Sequence, residues 1–64
     1  MSAIVARTTR QGGVAYLTQQ SSRMEWTAEA SDADVFASVR DATRAALFLP
    51  AQLRAFALPV RLAA

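Results

Sequence analysis

Arg54-Ala55-Phe56-Ala57-Leu58-Pro59-Val60-Arg61-Leu62 alternates along its whole length, with Phe56, Leu58, Val60 and Leu62 on one side and Ala55, Ala57, Pro59 and Arg61 on the other. Successive side chains of a strand point to opposite faces of a sheet, so a period of two marks a strand with one face buried. Pro59 has no N–H to give to a ladder, which places the strand at a sheet edge. Its partners lie at the far end of the chain. Residues 3–10, AIVARTTR, mix β-branched residues with alternating character, and Gln11-Gly12-Gly13 follows as a turn, because glycine accepts positive φ without strain. Val14–Gln19 is then the return strand of a hairpin. It carries Val14, Tyr16 and Thr18 on one face and Ala15, Leu17 and Gln19 on the other, and the pattern leaves open which face is inward.

Between the hairpin and the last strand the chain changes character twice. Gln20-Ser21-Ser22-Arg23 is a polar connection, and Met24–Thr27 continues the strand or re-enters it before the chain reverses. Residues 32–37 suit a short turn. Ser38 followed by Asp41 is a variant of the capping box, with an acid that also suits the positive end of a helix. Val39, Ala42, Ala46 and Leu49 then share one helix face, and Pro50 closes the helix or opens a brief turn through Leu53. The fold expected is α+β, a single domain over residues 1–64 with the order ββαβ. One main helix packs on one face of a three-stranded antiparallel sheet, and the last strand lies beside the first, giving the spatial order 2-1-3.

Of the 64 residues, 34 are apolar, but 15 of these are alanine, so only 19 larger side chains are left to fill a core. Folding a chain of this size buries apolar surface worth roughly 90 kcal/mol against an ordering cost of roughly 95 kcal/mol. Small domains this close to balance draw on disulfides, metals or a partner, and with no Cys and no His the first two are removed. Self-association or docking on a larger protein remains. The same absences exclude Cys and His nucleophiles, imidazole bases and the common zinc sites. No cofactor is expected. The longest apolar stretch, Ala45–Ala51, is broken by Pro50 and falls far short of the ~20 residues that span a bilayer. Ala3–Ala6 is too short for a signal-peptide core, and a cytoplasmic location is expected.

Tyr16-Leu17-Thr18, Trp26-Thr27, Ala33-Asp34-Val35-Phe36, Ser38, Asp41-Ala42, Ala46 and Leu58-Pro59-Val60 together resemble a loose group of small bacterial and phage proteins. Their shape is a hairpin, a Trp-Thr bend, an A-x-x-F entry into a capped helix, and a closing strand. An all-Arg complement of seven basic residues and the alanine excess also resemble proteins of GC-rich bacteria or their phages. The resemblance spans about residues 3–62 and carries no catalytic motif. It implies the ββαβ fold and a phage-like provenance. Some phage proteins of this size inhibit host defence, anti-CRISPR proteins among them, so it also implies an inhibitor of a bacterial defence complex such as CRISPR-Cas.

The net charge of +2 conceals strong segregation: residues 1–24 carry +3, residues 25–41 carry −4 and residues 42–64 carry +3. Glu25, Glu29, Asp32 and Asp34 form either a docking surface for a basic partner or a solvated loop, and a divalent cation at Asp32 and Asp34 is the least favoured reading. Arg40 and Arg44 are one helical turn apart, Arg7 and Arg10 flank the end of the first strand, and Arg54 and Arg61 frame the last. No helix-turn-helix, KH or RRM signature accompanies them. The serines have no base to activate them, and a chain this short hardly encloses a water-free pocket, so an enzyme is not expected. Leu47, Phe48 and Leu49 point across about 200° of the helix, more than one sheet can cover. The open sheet face is expected to carry Ala55, Ala57 and either Tyr16 or Leu17. The reading is a non-enzymatic protein-binding module, expected to be a homodimer, that occupies a surface of a larger protein. Tyr16, Trp26, Leu47 and Phe48 are its apolar anchors, and Glu25, Glu29, Arg40 and Arg44 steer the encounter. The rival reading is a nucleic-acid-associated accessory protein using Arg7, Arg10, Arg40 and Arg44.

Overall fold

In the computed structural model, which describes residues 2–20 and 23–60 and only the backbone at 19, 20, 23 and 24, β1 (Ala3–Thr8) and β2 (Val14–Gln20) form an antiparallel hairpin. At its tip the Gly12 N–H donates to the Thr9 carbonyl at 3.0 Å and the Thr9 N–H donates to the Gly13 carbonyl at 2.9 Å. A turn of this kind closes on one residue in the left-handed region, and Gly12 takes that place at φ 84°.

The expected three-stranded sheet is corrected to four strands in the order β3-β2-β1-β4, all antiparallel, where β3 is Arg23–Thr27 and β4 is Phe56–Pro59. The last strand does lie beside the first, pairing Ile4 with Leu58 and Ala6 with Phe56. The addition is β3, which returns along β2 with Leu17 opposite Trp26 and Thr18 opposite Glu25. Trp26-Thr27 is therefore strand and not bend. Among the described residues, Pro59 sits in an edge strand whose only ladder is to β1, as a residue without an N–H requires. Residues 61–62 of the last alternating stretch lie outside the described residues.

β1 and β2 are register partners only from Ala6 to Thr8. Beyond that, the segment after β3 inserts between them. Asp34 donates its N–H to the Leu17 carbonyl at 3.0 Å, and Phe36 exchanges two backbone bonds with Ala3, at 2.7 and 3.1 Å. The short turn expected over 32–37 is thus displaced: a 3₁₀ turn covers Ala30–Asp32, and the chain from Ala33 is extended. An extended run here satisfies backbone groups that the diverging strands would otherwise leave unpaired.

Helix α1 (Val39–Leu47) begins at Ser38, whose Oγ accepts the Asp41 N–H at 3.1 Å. It ends before Pro50, and Ala51–Leu53 then forms one 3₁₀ turn. The helix lies over β1 and β4. Its buried residues Ala42 and Ala46, with Leu49, pack against Ala3, Val5 and Leu17, and Val39, Phe36, Trp26, Ala55 and Ala57 surround that cluster. Alanine on both sides of the contact lets helix and sheet approach closely. Fully burying Val5, Leu17 or Leu49 contributes about 1.5–3 kcal/mol each, whereas an alanine contributes a single methyl.

Candidate interaction surface

Opposite the buried stripe of α1, Arg40, Arg44, Leu47 and Phe48 fall within a roughly 100° arc at the helical repeat. All four are exposed, Leu47 at 80% and Phe48 at 85%. The capped helix start fixes their direction, since turning Ala42 and Ala46 into the core turns these four away from it. The 3₁₀ turn after Pro50 does not cover them. Four of the eight residues singled out in the sequence thus share one surface, a guanidinium pair leading to an apolar end.

The other four do not join it. Trp26 lies on the helix side of the sheet, opposite Leu17 and half-buried against the core, with the Arg7 guanidinium 5.3 Å from its ring centroid. Part of its ring is thus engaged in packing. The small Ala15 next to Arg7 in the ladder leaves room for that long side chain to cross β2. Tyr16 and Glu25 lie on the opposite, outer face, by alternation from Leu17 and Trp26. Glu29 is exposed where β3 leads into the 3₁₀ turn, its N–H donating to Thr27 Oγ1 at 3.1 Å. Asp32 is also exposed and Asp34 half-buried. Among the described residues, no group of three or more acids, Cys or His could hold a metal ion.

The outer sheet face corrects a further expectation. Ala55 and Ala57 pack inward against the helix, and Phe56 and Leu58 point outward. The helix face offers only alanine-sized space above β4, so the larger side chains take the other side. One row across this face runs Phe56, Ala6, Tyr16, Thr27, and the next begins Leu58, Ile4. Phe56 and Tyr16 flank Ala6, which is fully buried between them. Val14, Phe56 and Leu58 are each about 40% exposed. Phe56 and Leu58 were legible as large alternating residues, but not as outward-facing ones.

A third feature was not anticipated. At the end of the sheet where the β1–β2 turn meets the 3₁₀ turn after α1, an open groove of about 510 Å³ is lined by Arg7, Thr8, Thr9, Arg10, Gln52 and Arg54, together with Leu53. Among the described residues, no carboxylate lines it. Arg54 has a left-handed backbone, φ 52°, the only such non-glycine residue described. The Arg7 Nε is buried without a hydrogen-bond partner, which costs about 1–3 kcal/mol for a buried donor. Arg40 and Arg44 are not part of this groove, so the four arginines of the nucleic-acid reading do not share one lining. Among the described residues, no helix is long and apolar enough to cross a membrane. No family model, curated protein or solved structure matches the chain.

Proposed function

We propose that the chain is a non-enzymatic protein-binding module that docks through Arg40, Arg44, Leu47 and Phe48 on a larger protein. The observation that carries this reading is the adjacent exposure of Leu47 and Phe48 at the end of the helix. A leucine and a phenylalanine left in water forgo about 1.5–3 kcal/mol of burial each. Large aromatics with flanking arginine are also the side chains that dominate protein interfaces. The partner surface that fits is an apolar pocket with an acidic rim. By the resemblance in the sequence, the target is a bacterial defence complex, and the protein acts as a phage-encoded inhibitor by occupying it, in the cytoplasm of the host.

Affinity capture from the native host with wild type and Phe48→Asp tests the proposal. The substitution leaves the fold intact, because Phe48 supports nothing beneath it, and abolishes capture. Equal capture by both proteins overturns the assignment of this face. Sedimentation of the same pair at micromolar concentration shows whether a second copy also uses the surface: a dimer that Phe48→Asp dissolves supports self-association, and a monomeric wild type removes it. The rival reading, binding of nucleic acid through Arg7, Arg10, Arg40 and Arg44, differs in its salt response. Phosphate contacts weaken steeply between about 50 and 200 mM salt, and an apolar contact barely changes. Sub-micromolar DNA or RNA binding in a gel shift would overturn the protein-binding reading.

A further inference from the structure

We infer that the groove lined by Arg7, Arg10 and Arg54 is a binding site for a small phosphate-bearing anion, separate from the helix surface. Three arginine residues from two distant stretches of chain line one open space. Among the described residues no carboxylate lines that space, and none of the three has an ion-pair partner. Like charges gathered in this way repel, and a multivalent anion is the chemistry that reverses the sign of the interaction. Guanidinium forks match the oxygens of a phosphate in pairs. The hydroxyls of Thr8 and Thr9 and the Gln52 amide add uncharged donors at the same lining.

Two further observations point the same way. Arg54 adopts φ 52°, a backbone conformation that glycine or asparagine takes with less strain, yet the position holds a long cationic side chain. Its N–H closes the preceding 3₁₀ turn on the Ala51 carbonyl at 3.1 Å, so the strained backbone sets where the side chain leaves the chain. Arg7, the third arginine of the lining, keeps its Nε buried and without a hydrogen-bond partner, its guanidinium 5.3 Å from the Trp26 ring. The groove is larger than phosphate alone and accommodates a phosphate together with an attached group, as in a phosphomonoester.

Calorimetric titration at low salt with pyrophosphate, with adenosine monophosphate and with a short single-stranded oligonucleotide tests the site and separates its sources. The expected result is one saturable site for the small anions, weakened by about ten-fold or more in Arg54→Gly and in Arg10→Ala, the loss of a charged fork, and unchanged in Arg40→Ala and Arg44→Ala. Arg54→Gly relieves the strained backbone, so its thermal midpoint stays level or rises while binding falls, which separates loss of the ligand site from loss of the fold. Absence of saturation by about 10 mM pyrophosphate, far weaker than a millimolar site, overturns the inference. So does undiminished binding by Arg54→Gly. An oligonucleotide bound far more tightly than pyrophosphate, with the excess lost in Arg40→Ala and Arg44→Ala, also overturns it, because that result describes an extended backbone track and not a single-phosphate site.

Discussion

Ser38 shows how far one residue can be read without its surroundings. A serine before Val39, with an acid three positions on, satisfies a helix N–H whatever packs nearby, and the Oγ to Asp41 N–H bond follows. Ser38→Ala should lower stability by about 1 kcal/mol, and Ser38→Asp should restore most of it. Urea unfolding of the two variants checks this, and equal midpoints for wild type and Ser38→Ala would show that the cap contributes nothing. Gly12 was legible for the same local reason, since a short hairpin turn needs one left-handed residue. Arg54 was not. Its left-handed backbone arises where the 3₁₀ turn must swing into β4, a demand set by the position of β1 and not by any residue near Arg54. The half-burial of Trp26 was hidden for a related reason: an aromatic beside Glu25 looks fully exposed until Leu17 is found opposite it.

At the scale of elements, spacing identified every segment with a strong local signal and failed where two meanings shared one pattern. The hairpin, the helix stripe Val39, Ala42, Ala46, Leu49 and the edge character given by Pro59 were all readable. β3 was not, because five residues after a polar connection are too few to distinguish a continuing strand from a returning one. The facing of β4 was also hidden. Alternation sorts Ala55 and Ala57 from Phe56 and Leu58 but carries no sign, and the usual preference for large residues inside fails against a helix surface made of alanine. The observed facing predicts that Ala57→Leu, which must fit between β4 and α1, destabilises by about 1–3 kcal/mol through overpacking. Phe56→Tyr, whose new hydroxyl reaches toward solvent, leaves stability unchanged. Thermal melts of both variants decide the matter, and the reverse outcome would place Phe56 inside.

For the whole molecule, one helix and two 3₁₀ turns accompany a four-stranded sheet among the described residues. A nine-residue helix cannot roof four strands, and the composition had already indicated too few large side chains for the task. What the sequence could not reveal was the division of the surface into a helix face, an outer sheet face and an arginine groove, since these depend on which strands become neighbours. The placement of β1 has a kinetic consequence. It pairs on one side with β2, a few residues downstream, and on the other with β4, more than forty residues further along. The first ladder closes a short loop, but the second must close one of more than forty residues, so the local meander of β1, β2 and β3 forms early and β4 docks last. In stopped-flow measurements, mild destabilising substitutions in β4 such as Leu58→Ala should accelerate unfolding and leave the folding rate almost untouched, while a slowed folding rate would place β4 in the nucleus. During synthesis the β4 edge of β1 therefore stays unpaired until the chain has been made as far as Pro59, more than forty residues later.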